Sequence, residues 1–99
     1  MIELAQIAGF DWDDGNSRKS SEKHSVIQSE AEQIFFNQPL LLLGDVAHSQ
    51  KETRYHALGK TDDDRKLHVT FTLRAKGTLI RVISARDMNR KERTVYEQS

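Results

Sequence analysis

Residues 67–86 carry the pattern that most restricts this chain. Leu67, Val69, Phe71 and Leu73 alternate with His68, Thr70, Thr72 and Arg74. In an extended chain successive side chains point to opposite faces, so this segment is a strand with one apolar and one polar face. Leu79–Arg86 reads as a second strand, joined to the first through a turn at Ala75-Lys76-Gly77-Thr78. Arg54–Leu58 reads as a third, with Lys60-Thr61-Asp62-Asp63-Asp64 as the intervening turn. A sheet with a wet face needs cover on the other, which asks for helices elsewhere in the chain.

The first half supplies them. Phe10-Asp11-Trp12-Asp13 alternates aromatic with acidic residues and predicts a strand with Phe10 and Trp12 toward the core. Asp13-Asp14-Gly15-Asn16 predicts a turn with Asn16 as helix N-cap, ahead of a polar helix over 17–24. Ser29-Glu30-Ala31-Glu32 has the spacing of a capping box, and Ala31, Ile34 and Phe35 fall on one helical face before Pro39. Leu40–Leu43 predicts buried extended chain. Asp87 is the expected cap of a last helix running to Glu97, with Met88 and Val95 as its apolar anchors. The order is β-α-α-β-β-β-α, an α+β fold with helices on one side of a small sheet. The 99 residues form a single domain, 1–99.

A net charge of zero conceals a division. Residues 1–49 hold eight acidic and three basic side chains, a net of −5, and residues 50–99 hold seven and twelve, a net of +5. Arg74, Lys76, Arg81, Arg86, Arg90, Lys91 and Arg93 crowd between Thr72 and Arg93, opposed there by Asp87 and Glu92. Such a concentration suits a polyanionic partner. The chain has no cysteine, hence no disulfide framework, thiolate nucleophile or Cys-based zinc site. His24, His48, His56 and His68 lack metal-ligand spacing, and no metal or other cofactor is expected. There is no P-loop, GxGxxG or GxSxG. Met1-Ile2-Glu3-Leu4 has no signal-peptide character and Leu40–Leu43 is too short to span a bilayer, so a cytoplasmic protein is expected.

RNA cleavage needs modest equipment: a group to take the 2′-hydroxyl proton, a group to protonate the leaving 5′-oxygen, and cations to stabilise the charge between them. The second half is rich in suitable side chains. The same cations equally suit a non-catalytic nucleic-acid or protein-binding module.

Several short motifs, in order, resemble the BrnT family of toxins from bacterial type II toxin–antitoxin modules. They are FDWD (Phe10–Asp13), KHSV (Lys23–Val26), EAEQIFFNQP (Glu30–Pro39), the set Asp45, His48, Ser49, Glu52 and Arg54, then Leu58-Gly59, Thr72–Arg74, RVISAR (Arg81–Arg86), and Glu92, Arg93, Tyr96 and Glu97. The resemblance spans nearly the whole chain. It implies a compact RelE-like fold, endonucleolytic RNA cleavage that inhibits translation, and a small ribbon-helix-helix antitoxin of the BrnA kind, through which the complex reaches operator DNA. The chain departs from the family where Ser25 replaces the glycine of KHG, where Asn16 and Ser20 stand for a helical Lys and Asn, and where Asp64-Arg65 replaces Gly-Arg.

On that basis a metal-independent cleavage is expected to use His24, Glu52, Arg74, Arg86 and Tyr96. His24 or Glu52 acts on the 2′-hydroxyl, Arg74 and Arg86 hold the scissile phosphate, and Tyr96 stacks on a base or donates a proton. Lys23, Arg54, Arg65, Arg81, Arg90, Lys91 and Arg93 are expected to track the RNA backbone. Arg81, Tyr96, Glu52 and Arg54 have structural readings as well, as ion pairs or a helix-docking ring.

Overall fold

The computed structural model describes residues 4–16, 24–45 and 53–99. The expected helix over 17–24 therefore falls almost wholly outside the described residues, as do Lys23, His48 and Glu52. Five strands form one sheet: β1 (Gly9–Phe10), β2 (Leu41–Asp45), β3 (Arg54–Lys60), β4 (Lys66–Arg74) and β5 (Leu79–Asp87). Their spatial order is β1-β5-β4-β3-β2. β1 runs parallel to β5, and every other pair is antiparallel. Among the described residues two longer helices join the sheet, α1 (Gln28–Gln33), which passes into a 3₁₀ turn at Ile34–Phe36, and α2 (Arg90–Glu97), with single turns at Leu4–Gln6 and 14–16. The fold is α+β. Among the described residues no helix is long and apolar enough to cross a membrane.

The alternation in β4 sorts the sheet faces as expected. Leu67, Val69 and Phe71 are buried with Ala57, Ile80, Val82 and Ala85, and Val26, Ala31 and Ile34 close over them. Phe71 sits between the edge of Phe35, centroids 5.2 Å apart, and the stacked ring of Tyr55 at 5.5 Å. Gly59 lets the 3₁₀ turn come down onto β3: a Cβ there would stand 2.8 Å from the Ile34 Cβ.

The helices are not confined to one side. On the opposite face Leu58, Met88 and Tyr96 form a second small cluster with Leu41, and it docks α2 over one end of the sheet. Leu40–Leu43 is also more than buried chain. It enters β2, an edge strand on which Leu43 is 58% exposed.

Several helix starts differ from expectation. α1 is preceded by Ile27, whose N–H is accepted by Glu30 at 3.2 Å, so Ser29 lies inside the first turn. Glu32 instead accepts the Trp12 indole N–H at 2.7 Å. Residues 14–16 are helical, with Asp13 as their cap: its Oδ1 accepts from the Asn16 N–H and its own N–H is accepted by Asn16 Oδ1. Asn16 is buried, and its amide donates to the Asp11 and Val82 carbonyls, tying that turn to β5. β5 runs on through Asp87, whose carboxylate is held by Arg65, and α2 is capped by Asn89 with Glu92 reciprocating. Phe10 is in a strand, but the strand ends there.

Ser25 and Asp64, the two positions where the family resemblance calls for glycine, have φ of 56° and 68°. Left-handed backbone costs an L-residue roughly 1–2 kcal/mol, part of which a glycine returns as extra freedom in the unfolded chain. Asp64 recovers some of that cost through its contact with Lys66 Nζ at 3.0 Å. Ser25→Gly is accordingly expected to raise stability by about 0.5–1 kcal/mol, read as a shift of the urea midpoint at unchanged slope.

Candidate nucleic-acid interface

The polar sheet face carries the candidate site, and strand register lays it out in rows. Arg54, Thr72 and Arg81 are direct partners across β3, β4 and β5. His56, Thr70 and Ser84 form the next row, and Leu58, His68 and Arg86 the third. Rows two residues apart on a strand are separated by about 6–7 Å. Between the first two rows the register slips by one residue at Thr70/Phe71, which leaves Ile83 as the extra residue on β5. Such a bulge bends the strand and re-aims its side chains.

At the first row the face opens into a groove of about 430 Å³ lined by Asp13, Asn16, Arg54, Arg74, Arg81 and Ile83. Three guanidinium groups from three strands thus border one hollow. Arg81 is anchored by Asp13 at 2.7 Å and Asp11 at 3.4 Å. The Asn16 backbone N–H, followed by the Arg81 guanidinium, holds the Asp13 carboxyl below the usual carboxylate range. Arg81 therefore reaches the groove already half-compensated by carboxylates, and an incoming phosphate competes with them.

The third row meets α2. Arg86 makes a two-pronged contact with Glu92, Nη1–Oε1 2.8 Å and Nη2–Oε2 3.0 Å. His68 Nδ1 sits at the seam of that pair, 2.6 Å from Arg86 Nη2 and 2.8 Å from Glu92 Oε2. His68 Nε2 is 2.8 Å from His56 Nδ1, which is also 3.0 Å from Thr70 Oγ1. Burial lowers the His68 pKa, against the pull of Glu92, so the ring is neutral near pH 7. Burial also opposes ionisation of Glu92, but the Arg86 hydrogen bonds, the Asn89 N–H and the neighbouring charges prevail and bring it to about 2. A hollow of about 310 Å³ opens beside the two rings, with Leu43, Leu58 and Val95 as apolar wall and Lys91 at its margin. A larger hollow of about 590 Å³ by Phe35–Leu40 and Ser99 has no titratable side chain in its lining and lies away from these rows.

These groups give stability a pH dependence of fixed sign. Glu92 ionises more readily in the folded chain, so its contribution is complete above about pH 4.5 and is lost as pH falls toward 2. His68 resists protonation in the folded chain, so the unfolded chain takes up more protons below its ordinary value of 6.5, and stability again falls with pH. Thermal melts are expected to drop from pH 7 downward. Glu92→Gln removes the component between pH 4.5 and 2, on the order of 2–3 kcal/mol after allowance for its partial exposure.

The residues expected from sequence do not form one site. Arg54, Arg74 and Arg81 come together. His24 does not join them: its carbonyl accepts from Arg65 Nη2 at 3.4 Å, beyond the start of β4. Arg65 and Arg74 lie nine residues apart, roughly 30 Å of extended chain. Arg65 itself is a structural clasp, bound to Asp87, Glu30 and the Ser25 carbonyl. Tyr96 is corrected most plainly. It is 3% exposed, and its hydroxyl donates to the Pro39 carbonyl at 2.7 Å, so it docks α2 instead of stacking on a base. Arg86 faces the polar side but is committed to Glu92. Arg90, Lys91 and Arg93 are exposed along α2, and Glu52 and Lys23 lie outside the described residues. Sequence reading missed His56 and His68 as a pair. His68 had been placed on the polar face, but only the β3–β4 register brings His56 to it.

Fold and face define a small α+β protein with three arginines grouped on one open sheet face beside a half-buried imidazole–carboxylate network. Residues 12–92 match the family of the ribonuclease toxin, BrnT, of type II toxin–antitoxin systems, and the chain belongs to that family. An RNA substrate and an antitoxin partner go with membership. No curated protein matches the chain. The match takes in all three rows and the Asn89–Glu92 cap, and it stops before Arg93 and Tyr96.

Proposed function

We propose that this protein is a metal-independent endoribonuclease that inhibits translation by cutting RNA laid across the polar sheet face, on a RelE-like arrangement of sheet and helices. The carrying observation is the grouping of Arg54, Arg74 and Arg81 around one groove. Guanidinium forks match phosphate oxygens and stabilise the extra charge of a five-coordinate phosphorus. Attack by the 2′-oxygen breaks the bond from phosphorus to the 5′-oxygen and leaves a 2′,3′-cyclic phosphate and a 5′-hydroxyl. Arg90, Lys91 and Arg93 on α2 extend the cationic track. A ribbon-helix-helix antitoxin of the BrnA kind, covering this same face, keeps the enzyme inactive and carries it to operator DNA in the cytoplasm. Glu52, two residues before Arg54 in sequence, is proposed to contribute to the reaction.

The test is cleavage of a defined RNA by the purified toxin in excess EDTA. Cyclic or 3′-phosphate ends are expected, with no cleavage of the all-deoxy strand. Activity abolished by chelator and restored by a divalent ion overturns the metal-free route. Tight binding without any cleavage favours the binding-module reading.

A further inference from the structure

We propose that Lys76, at the tip of the β4–β5 hairpin, holds the RNA phosphate next to the one at the arginine groove, and that a left-handed backbone position better suited to Gly or Asn is filled by lysine for its charge. The inference rests on the ribonuclease reading above and adds to it a contact outside the groove.

The backbone of the turn comes first. The Gly77 and Thr78 N–H groups both donate to the Arg74 carbonyl, at 3.1 Å each. The two residues enclosed by the first of these bonds, Ala75 and Lys76, have φ of 51° and 58°. A turn with positive φ at both central positions draws Gly, Asn or Asp, because a Cβ crowds the backbone there. Lysine brings that Cβ without a short polar group to bond locally. Asp64 differs, since its carboxylate contacts Lys66. The bonds around the tip hold it in place: Thr78 Oγ1 donates to the Ala75 carbonyl at 2.8 Å, and the Thr78 carbonyl accepts from the Ala8 N–H at 2.7 Å. Strained backbone of this kind gathers at functional sites.

Place and charge come second. Arg74 closes β4 and lines the groove, and Lys76 follows it by two residues, so the tip continues the cationic border past the end of the sheet. Lys76 is exposed. Arg81 reaches the groove against Asp11 and Asp13, Arg86 is committed to Glu92, and Arg65 to Asp87 and Glu30. No carboxylate among the described residues pairs with Lys76. A phosphate arriving there displaces water and condensed ions, not a protein anion. An ammonium on a flexible four-carbon stem serves as a point charge and needs no fixed fork. The turn is already locked, so binding has only the side chain to order. A contact one phosphate away from the scissile bond is made alike in the bound substrate and in the transition state. It contributes to affinity and leaves the chemical step unchanged.

The experiment compares wild type, Lys76→Asn, Lys76→Arg and Ala75→Gly. It reads melting temperature, affinity across a salt series for a defined RNA with a 2′-deoxy residue at the cut position, and kcat and KM on the cleavable strand. Asn suits left-handed backbone, so Lys76→Asn is expected to melt with the wild type or up to about 5 °C above it. Its RNA affinity at low salt falls by about 3–10-fold, and the slope of log affinity against log salt falls by about 0.7–1 unit. KM rises by a similar factor while kcat stays within about twofold. Lys76→Arg keeps the slope. Ala75→Gly relieves the same turn and keeps the charge, so RNA affinity stays within about twofold of wild type. A folded Lys76→Asn protein with wild-type RNA affinity and slope overturns the proposal while the ribonuclease reading stands. Weaker binding of the cognate antitoxin at unchanged RNA affinity also overturns it, and makes the tip a seat for an acidic protein segment. Equal loss of RNA affinity in Ala75→Gly assigns the effect to turn shape and overturns the role of the charge. Wild-type protein that binds no RNA overturns both readings.

Discussion

Arg74→Ala is expected to slow RNA cleavage by about 10²–10³-fold while the fold survives. The size follows from the loss of one preorganised charged donor at a developing oxyanion, which typically costs about 3–4 kcal/mol of barrier. The fold survives because Arg74 closes β4 at its groove end and is not among the core residues. Arg74 is half-buried, so its truncation is expected to cost less stability than a core truncation. Binding weakens as well, and the slope of log affinity against log salt falls by about one unit for the lost phosphate contact. Arg74→Lys restores the charge without the planar fork, so the salt slope returns while much of the rate does not. Equal loss of rate and of thermal stability would instead make Arg74 a strut of the hairpin. Arg81→Ala should cost less in binding, because Asp11 and Asp13 already compensate that charge.

How far the sequence discloses this arrangement depends on the range of the interaction that fixes each part. The period-two alternation of β4 is local, and it separates the apolar from the polar face as observed, although Thr72 on the polar face is itself buried and donates to the Thr53 carbonyl. Helix caps were harder. Ser29, Asn16 and Asp87 have the right chemistry for caps, but Glu30 was already reaching back to Ile27, Asn16 to the carbonyl of Val82 and Asp87 to Arg65. Each competitor is distant in sequence or depends on a neighbour that is. β2 was hidden for the same reason: Leu40–Leu43 reads as core, and it becomes an edge strand only because β3 offers it a ladder. The site divided along the same line. Arginines two strands apart could be grouped from composition, whereas the pairing of His56 with His68 needs the register of β3 on β4. Tyr96 shows the limit of motif reading, since its position in a family pattern says nothing about whether its hydroxyl faces RNA or the Pro39 carbonyl.

Arg65 separates a structural cation from a binding one, and its removal is expected to cost stability and spare RNA binding. Its guanidinium makes a two-pronged contact with Asp87, at 2.7 and 3.0 Å, reaches Glu30 at 3.1 Å and donates to the Ser25 carbonyl at 3.0 Å. One side chain thereby fastens residues 24–25 and the first turn of α1 to the end of β5. The Asp87 hydrogen bonds, outweighing burial, raise the Arg65 pKa above its ordinary value, and Arg65 in turn holds the Asp87 carboxyl low. Arg65→Ala leaves two carboxylates and a carbonyl without their donor; Glu30 is about a quarter exposed and Asp87 more than half. Full burial would cost about 3–5 kcal/mol, and the solvent access of Asp87 and Glu30 reduces that to roughly 1–2 kcal/mol. For a domain of this size the melting temperature falls by roughly 5–15 °C. Arg65→Lys recovers little, since an ammonium cannot span Asp87 and Glu30 together. Below the melt, RNA affinity and its salt slope are expected to match the wild type, because Arg65 stands roughly 30 Å along β4 from the arginine groove. A variant that melts normally but loses one unit of salt slope would return Arg65 to the RNA-binding surface and extend that surface along the whole length of β4.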